Sequence, residues 1–423
     1  MKIAVIGGGS TYTPELMEGL IEDGPALGLG EVWLMDIDEG RLDIVGDFCR
    51  RMVAHAGAGF KVETTTESGA ALDGAAFVLT QVRVGGQQGR HKDIQLGLGH
   101  DLVGQETTGV GGFAKALRTV PVILDICRQM DSLCPQAWLI NFTNPSGLVT
   151  EAILKHGRPR AMGLCNNPIN LRMDVAGHLG VEPQRVDLDY VGLNHLSWVR
   201  RVLVDGKDVL PQAIEELTGA GRPANFPEEL DYPEGFIRSL GMIPSSYLRY
   251  FYQTRKAIAE LKAKPRSRAE EVMAIEKDLL ESYADPALVE KPASLQKRGG
   301  AYYSRAALDL ILAIHTDAAE RHVVNVQNSG ALACLPDDCS VEIPASIDAA
   351  GAHVEPLEDP PPEIRGLMQH VKAYEELAVE AAVTRSRRLA VLTLVTHPLV
   401  ADVELAIELV DEIAAVHGIE FDA

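Results

Sequence analysis

The first fifteen residues read MKIAVIGGGSTYTPE, in which an apolar run leads into three glycines and then into a helix start. Ile3 to Ile6 predicts a buried strand, and Gly7 and Gly9 predict a tight turn whose backbone can approach a pyrophosphate closely. The helix that follows offers unpaired N–H groups and a favourable dipole to the anion. This order of strand, turn and helix predicts a dinucleotide site that includes Ser10 and Thr11.

A carboxylate at the end of the next strand pattern indicates which dinucleotide binds. The apolar run Val32 to Met35 ends in Asp36, which can hold both hydroxyls of an adenosine ribose and therefore favours NAD over NADP. Two features depart from the usual fingerprint: Tyr12 replaces its third glycine, and Asp36 lies farther along than roughly 20 residues. The alternative is an ordinary glycine turn without a ligand.

The composition is that of a globular protein, with 46% hydrophobic and 23% charged residues in a chain of 423. That length corresponds to two or three domains. No stretch approaches the roughly 18 uninterrupted apolar residues of a membrane span, and the N-terminal pattern is that of a strand and not of a signal peptide. We therefore expect a cytoplasmic protein with no membrane partner.

The net charge limits the partners further. At a formal −21 the chain has no basic stripe that could replace counterions on nucleic acid or an anionic membrane. An anionic substrate would need local arginines, for which Arg83, Arg90 and Arg298 are candidates. Six cysteines lack the spacing of a disulfide scaffold and are expected to be reduced.

Strand and helix patterns alternate after the first unit. Glu39 to Ala56 has helical spacing and Ala76 to Val82 is a β-rich apolar run, so the chain predicts a parallel α/β sheet of right-handed units. The segment from Arg83 to Gly109 is rich in glycine and predicts a mobile or close-fitting loop at the carboxyl edge of that sheet. The fold class is therefore α/β, with a Rossmann-like doubly wound sheet over residues 1–195.

The pattern changes from about Leu196. A hairpin signal surrounds Asp205-Gly206, a loop is predicted at 222–234, and Arg268 to Tyr283 has the pattern of a charged amphipathic helix. We predict a second mixed α/β, largely helical domain over residues 196–423, which serves substrate binding and oligomerisation.

Residues capable of chemistry follow short apolar runs, as at the ligand-binding edge of an α/β sheet. They are Arg83, Asn144, Cys165 and His195. Cys165 and His195 are compatible with an open two-ligand metal site, completed by substrate and water, or with a nucleophilic Cys/His pair. Their spacing does not separate these two hypotheses, and buried structural roles are a third.

Eight motifs together resemble those of glycoside hydrolase family 4, and within it the chain is most similar to the 6-phospho-β-glucosidases. In chain order they are GGGSTYTPE at 7–15, RVGG at 83–86, QETTG at 105–109, NFTNPSG at 141–147, GLCN at 163–166, GLNHL at 192–196, PSSYLRY at 244–250 and RGGAYYS at 298–304. The Tyr12 departure belongs to the first of these motifs.

The resemblance implies an NAD- and divalent-metal-dependent hydrolase, usually with Mn²⁺, which falls outside the two-carboxylate scheme of most glycosidases. NAD⁺ would oxidise carbon 3 of the sugar, a base would remove the acidified proton of carbon 2, and the glycosidic oxygen would leave. Water addition and return of the hydride would complete the cycle. A homodimer or homotetramer is also implied.

The resemblance assigns roles residue by residue. Cys165 and His195 match the metal ligands, and Tyr247 matches the base. Glu106 matches a position that tunes this tyrosine, because a nearby carboxylate raises the proton affinity of a phenol. Without the resemblance, Tyr247 and its aromatic neighbours would be interpreted as core or interface residues.

The same resemblance identifies substrate contacts. Arg90, Asn144 and Asn166 match substrate-contacting positions, and Arg298 and Arg83 suit a 6-phosphate through forked hydrogen bonds. Asn166 stands where the α-specific branch carries an aspartate that acts as acid, so the amide favours a β-linked substrate.

Two alternatives remain open at this point. An NAD-dependent hydroxy-acid dehydrogenase would share the Rossmann half, and a catalytically silent sugar-phosphate sensor would share the pocket. The metal is also open to another divalent ion, because thiolate and imidazole suit zinc better than manganese.

Overall fold

The computed structural model describes residues 1–158, 160–218, 232–233, 235–299 and 302–422. The strands of these residues are β1 (Lys2–Ile6), β2 (Glu31–Met35), β3 (Lys61–Thr65), β4 (Phe77–Thr80), β5 (Trp138–Asn141), β6 (Ala161–Gly163), β7 (Val186–Leu193), β8 (Leu196–Val204), β9 (Lys207–Asp208), β10 (Ile243–Pro244), β11 (Glu320–Gln327), β12 (Ser340–Asp348) and β13 (Gly351–His353).

The α-helices of the described residues are α1 (Thr13–Leu27), α2 (Glu39–Ala56), α3 (Ser68–Leu72), α4 (Gly86–Gly99), α5 (Gly109–Leu133), α6 (Ser146–His156), α7 (Asn166–Leu179), α8 (Leu210–Thr218), α9 (Phe236–Leu240), α10 (Arg249–Tyr252), α11 (Thr254–Ala263), α12 (Arg268–Tyr283), α13 (Tyr303–Thr316), α14 (Pro362–Thr384), α15 (Arg387–Thr396) and α16 (Val403–His417). Short 3₁₀ turns cover Pro183–Arg185, Ser246–Leu248 and Ala293–Arg298.

Six parallel strands form the Rossmann-like sheet that the sequence predicts. Their spatial order is β3-β2-β1-β4-β5-β6, with β1 hydrogen-bonded to both β2 and β4. This is the 3-2-1-4-5-6 order of dinucleotide-binding folds, whose strand order reverses between β1 and β4. The prediction of an α/β fold with a doubly wound sheet is confirmed, and the reversal places the ligand crevice beside the turn that follows β1.

The C-terminal half extends this sheet. β11 runs antiparallel to β6, with Asn325 opposite Gly163, and β12 and β13 add two more antiparallel strands. A second sheet is made from β7, β8, β9 and β10, in which β7 and β8 form a hairpin. The division of the chain between residues 195 and 196 stays a prediction.

The prediction of a loop from Arg83 to Gly109 is wrong for much of its length, because Gly86–Gly99 forms helix α4. Asp93, Ile94 and Leu96 on this helix are buried, and Asp93 accepts two hydrogen bonds from Arg118 of α5. Tertiary packing of this kind outweighs the low helix propensity of glycine, which costs about 1 kcal/mol per residue. The predicted loop at 222–234 lies almost wholly outside the described residues.

Hydrophobic packing joins the two halves. A single large cluster of buried residues contains β1, β4 and β5 on one side and parts of β12, α13 and α14 on the other. A smaller cluster lies beneath the second sheet, between α7 and β7 to β8. None of the described helices is long and apolar enough to cross a membrane.

Candidate active site

The glycine turn after β1 is held closed by backbone hydrogen bonds. Gly7 and Gly8 both donate to the carbonyl of Met35, and Gly9 N donates to Oδ2 of Asp36 over 2.9 Å. Gly7 has a φ of +94°, and a Cβ there would lie 2.9 Å from the Gln81 carbonyl carbon. Only glycine fits this combination of a left-handed conformation and close contact, so the turn stays compact and tied to the end of β2.

The N-terminus of α1 follows this turn directly. Tyr12 occupies its N-cap position without a side-chain cap bond, and the Thr13 hydroxyl donates instead to the Gly8 carbonyl. An α1 N-terminus without a side-chain cap is suited to an anion, because its first N–H groups have no intrahelical acceptor. Gly7, Gly9, Ser10 and Thr11 thus lie together between β1 and α1, and Asp36 is hydrogen-bonded to Gly9; their binding of a dinucleotide stays a prediction.

Arg298 reaches these residues from the C-terminal half. Its Nε donates to Thr11 Oγ1 over 2.7 Å and its Nη2 to Ser10 Oγ over 3.4 Å. Glu276 of α12 pairs with Nη2 at 3.3 Å. The structure thus brings Arg298 to the predicted cofactor residues, and its predicted contact with a 6-phosphate stays a prediction.

A buried ionic cluster surrounds Glu106. Its carboxylate pairs with Arg83, with Arg90 Nη2 at 3.0 Å and with Lys115 Nζ at 2.6 Å. Burial is the largest influence and raises the pKa of Glu106, but the three cations together hold it well below its ordinary value. Glu106 is therefore an anion that orients two of the predicted substrate contacts, Arg83 and Arg90.

Tyr247 stands between this cluster and the predicted metal ligands. It lies in the 3₁₀ turn Ser246–Leu248, capped by the Ser245 hydroxyl, and its ring stacks on His195. Burial, followed by the nearby Cys165 and by Tyr250 and Glu106, raises the pKa of the Tyr247 phenol. The Arg90 guanidinium lowers this pKa in part, but burial outweighs it.

His195 lies at the tip of the hairpin between β7 and β8. The two-residue turn between the paired Leu193 and Leu196 gives His195 a φ of +63°. This conformation costs a non-glycine residue on the order of 1 kcal/mol, and residues in such conformations cluster at functional sites. Burial lowers the pKa of its imidazole to about 3, so the ring is neutral near pH 7. A neutral imidazole is the form that binds a metal.

Cys165 caps the N-terminus of α7, after β6. Its sulfur accepts from Asn167 N at 3.5 Å, and the Asn194 amide also hydrogen-bonds to it. Burial, followed by the charge of Glu342, raises the pKa of the Cys165 thiol. The thiolate therefore needs a cation in place to form.

Side-chain hydrogen bonds of the buried Asn141 hold the asparagine-rich turn after β5 in place. Asn141 is fully buried and binds Thr80, Thr143 and Thr150, while Thr143 accepts from Val82 N. This network connects the end of β4, after which Arg83 follows, to the end of β5.

Asn144 is half-buried, and its Oδ1 accepts from Ser146 N. Asn166 begins α7 next to Cys165.

Glu342 is a buried carboxyl near Cys165 that the sequence did not predict as part of the site. Glu342 on β12 is fully buried and accepts from Asn194 Nδ2, Tyr190 OH and Asn325 Nδ2 at 2.9 to 3.1 Å. Burial raises the pKa of Glu342 to about 7, against the effect of these three hydrogen bonds. A carboxylate inside the apolar run Val341 to Ile343 was the available sequence signal.

The donor chemistry fits a divalent metal with an open shell. Within the described ranges no three His, Cys, Asp or Glu side chains gather to hold an ion. Cys165 and His195 are nevertheless both placed beside Tyr247, and two protein ligands leave positions for substrate oxygens and water. Such open coordination is typical of catalytic sites.

Two family models match the chain: "Family 4 glycosyl hydrolase" over residues 2–181 and "Family 4 glycosyl hydrolase C-terminal domain" over residues 190–400. The chain is 43% identical over 428 residues to a probable 6-phospho-beta-glucosidase of Bacillus subtilis (strain 168), covering 99% of this chain and 96% of that relative. It is 39% identical over 414 residues to a 6-phospho-beta-glucosidase of Escherichia coli (strain K12), covering 95% and 91%.

A solved structure is similar over the full length of both chains. It is that of the 6-phospho-beta glucosidase from Thermotoga maritima with manganese, NAD⁺ and glucose-6-phosphate. It matches with a TM-score of 0.93 and 39% sequence identity, and the match covers 100% of each chain.

Proposed function

The chain belongs to family 4 of the glycosyl hydrolases, and from that premise we propose that it hydrolyses 6-phospho-β-glucosides with NAD⁺ and a divalent metal, Mn²⁺. The 6-phospho-β-glucosidases among its relatives, and the structure of one with manganese, NAD⁺ and glucose-6-phosphate, support this substrate and these cofactors. The observation that carries the proposal is the stacking of Tyr247 on His195 beside Cys165.

The proposed cofactor residues lie in and beside the glycine turn. Gly7, Gly9, Ser10 and Thr11 would face the pyrophosphate, and Asp36 would accept the ribose hydroxyls. Asp36 already accepts from Gly9 N through Oδ2 and from Asp38 N through Oδ1, which fixes its carboxylate while each oxygen keeps a lone pair. Arg298 orients the hydroxyls of Ser10 and Thr11 by its hydrogen bonds to both.

When bound, NAD⁺ would supply a reversible hydride acceptor for carbon 3 of the sugar, and a metal, which Cys165 and His195 would hold, would supply a Lewis acid and a positive charge. That charge lowers the phenol pKa of Tyr247. Tyr247, as the phenolate, then takes the proton from carbon 2, and the glycosidic oxygen leaves with a proton from water. Addition of water to the unsaturated product and return of the hydride to carbon 3 complete the cycle. Glu106 strengthens the base, since a nearby anion raises its proton affinity.

The proposed substrate contacts come from five places: α4, the segments after β4 and β5, the start of α7 and the 3₁₀ turn Ala293–Arg298. Arg90 on α4 is held by Glu106, and Arg83 follows β4, so both guanidinium groups are oriented before substrate binds. Asn144 and Asn166 offer amides at the starts of α6 and α7. We propose Arg90, Asn144 and Asn166 as sugar contacts, and Arg83 and Arg298 as 6-phosphate contacts. The amide of Asn166 cannot donate an acid proton to the leaving oxygen, which favours a β-linked substrate.

We also propose a homodimer or homotetramer and a cytoplasmic location. Val403 and Ile407 on α16 and Leu392 on α15 are large apolar side chains exposed to solvent, which is consistent with a surface that another copy covers. All six cysteines are free thiols, as expected in a reducing compartment. Light scattering coupled to size-exclusion chromatography measures the oligomer.

One experiment tests the proposed activity. The dialysed protein is incubated with a chromogenic 6-phospho-β-glucoside, NAD⁺ and Mn²⁺ under reducing conditions, and each component is then omitted in turn. We expect aglycone release only in the complete mixture, without accumulation of NADH. Release that persists without NAD⁺ contradicts the mechanism, and stoichiometric NADH formation would identify a hydroxy-acid dehydrogenase instead.

A further inference from the structure

Thr107, in the segment Gln105 to Thr108, contacts the proposed metal ligand His195. Thr107 Oγ1 lies 2.9 Å from Nδ1 of His195 and 2.8 Å from Oε1 of Gln105. The three side chains thus form a short hydrogen-bonded chain that ends on the imidazole. The direction of each bond in this chain decides which ring nitrogen carries the hydrogen.

The orientation of the Gln105 amide is determined by the backbone. The N–H groups of Thr107 and Thr108 both point at the same side-chain atom of Gln105, the latter over 3.0 Å. Because backbone N–H groups only donate, that atom must be the amide oxygen and cannot be the nitrogen. Gln105 Oε1 is therefore an acceptor for everything that contacts it.

The Thr107 hydroxyl has one hydrogen, and Gln105 Oε1 can only accept it. Oγ1 of Thr107 is then left with lone pairs toward His195, so Nδ1 of His195 must be the donor in their 2.9 Å contact. In a neutral imidazole with its hydrogen on Nδ1, the lone pair lies on Nε2. This is the arrangement by which metal-binding histidines are commonly oriented.

The position of Thr107 is fixed by close packing against the first turn of α5. A Cβ on Gly112 would lie 2.5 Å from the carbonyl carbon of Thr107, so the two backbones are in direct contact. Only glycine at 112 allows this approach. The Thr107 backbone is therefore fixed by this contact, and its hydroxyl is held between Gln105 Oε1 and His195 Nδ1.

We propose that Gln105 and Thr107 are positioning residues that hold His195 as the Nδ1–H tautomer and leave Nε2 to bind the divalent metal. The role of the metal rests on the proposed function, whereas the tautomer does not. Neither residue contacts the reacting atoms in this assignment; both act through His195.

The tautomer can be measured in the metal-free protein. Nitrogen NMR of protein labelled with ¹⁵N-histidine distinguishes a protonated from an unprotonated ring nitrogen, and a His195→Gln variant assigns the signals. We expect Nδ1 of His195 to be protonated in the native protein. Thr107→Val keeps the side-chain shape and loses the hydroxyl. In this variant the chemical shifts of both ring nitrogens should move toward the values expected for a mixture of the two tautomers.

Mn²⁺ affinity gives a second readout, measured from the electron paramagnetic resonance signal of the free ion. The loss of such an outer hydrogen bond typically weakens metal binding about 10- to 100-fold, and we expect this for Thr107→Val. Thr107→Ser retains a hydroxyl and should restore both readouts. Thr108→Val is the matched control, since Thr108 is buried one residue away and its side chain does not cap α5.

The inference fails if Nδ1 of His195 is unprotonated in the native protein, or if Thr107→Val keeps both the native nitrogen shifts and the native Mn²⁺ affinity. A native protein with protonated Nδ1 that binds no divalent metal supports the hydrogen-bonded chain and contradicts the proposed function. The two failures are therefore distinguishable.

Discussion

The imidazole ring of His195 stacks on the phenol ring of Tyr247, with the ring centroids 3.7 Å apart and the planes 7° from parallel. This contact joins a proposed metal ligand directly to the proposed base. Burial raises the pKa of the phenol, whereas a metal charge on the His195 side would lower it. The basicity of Tyr247 is thereby linked to occupation of the metal site.

Replacement of Tyr247 by phenylalanine should abolish most of the activity. Loss of a general base typically costs about 10²- to 10⁴-fold in kcat, and the affinities for NAD⁺ and Mn²⁺ should stay unchanged because the phenol is not a proposed ligand of either. Solvent deuterium exchange at carbon 2 should fall with kcat. Tyr374→Phe, which removes the hydroxyl of a buried tyrosine on α14, is the control, and full activity of Tyr247→Phe would remove this residue from the base role.

Replacement of Glu106 by glutamine should destabilise the protein strongly. It leaves the cations of Arg83, Arg90 and Lys115 without their shared anion in a buried site, and breaking a buried pair in this way costs about 3–5 kcal/mol. Urea titration measures the free energy of unfolding. Glu412→Gln removes the more exposed partner of His100 and should cost less than about 1 kcal/mol; equal effects of the two variants would contradict the prediction.

Replacement of Arg298 by methionine should weaken NAD⁺ binding. The variant loses the hydrogen bonds to Thr11 and Ser10 at the cofactor turn, and a loss of about 1.4 kcal/mol corresponds to a tenfold higher Kd. Calorimetry measures this Kd, with the half-exposed Arg305→Met as control. An unchanged Kd for NAD⁺ contradicts this prediction, and a raised KM for the sugar phosphate tests separately the proposed contact of Arg298 with the 6-phosphate.

Replacement of Glu342 by glutamine should change the pH dependence of stability. Burial raises the pKa of this carboxyl from 4.5 to about 7, so the native state holds the proton more tightly than the unfolded chain does. The resulting stabilisation is full below about pH 4.5 and is lost as the pH rises through 7, a change of about 3 kcal/mol.

Glutamine stays neutral throughout, so wild type should lose stability relative to Glu342→Gln between pH 4.5 and 8. Urea unfolding at several pH values measures the difference. The exposed Glu355→Gln serves as control and should run parallel to wild type. A constant difference between wild type and Glu342→Gln would show that the carboxyl does not titrate in this range.

Local pattern was sufficient for much of the fold. Apolar spacing predicted α2 (Glu39–Ala56) and α12 (Arg268–Tyr283) with the bounds that the structure has, because these helices are amphipathic and each has its own cap. Apolar spacing was insufficient for α4, because its glycines indicate a loop. The helix is stabilised by tertiary contacts, such as the hydrogen bonds that Arg118 of α5 donates to Asp93.

The sequence proposed part of the candidate site from chemistry at strand ends. Arg83, Cys165 and His195 were predicted in this way, since parallel strands end at one edge of the sheet, and their roles stay proposals. Gln105 and Glu342 were not predicted, because an amide in a loop has no spacing that marks it, and a carboxylate inside an apolar run, the signal for Glu342, does not say which groups it contacts. Their importance depends on what packs against them.

The sequence by itself determined the order of strands and helices, the glycine turn and the residue types available for chemistry, because these depend on local periodicity and on conformational limits of single residues. The tertiary structure decided the pairings: Thr107 with His195, and Arg298 with Thr11, which lie 287 residues apart. Hydrogen-bond direction and the pKa of a buried group are set by neighbours distant in the chain. They are fixed only once the chain has folded around them.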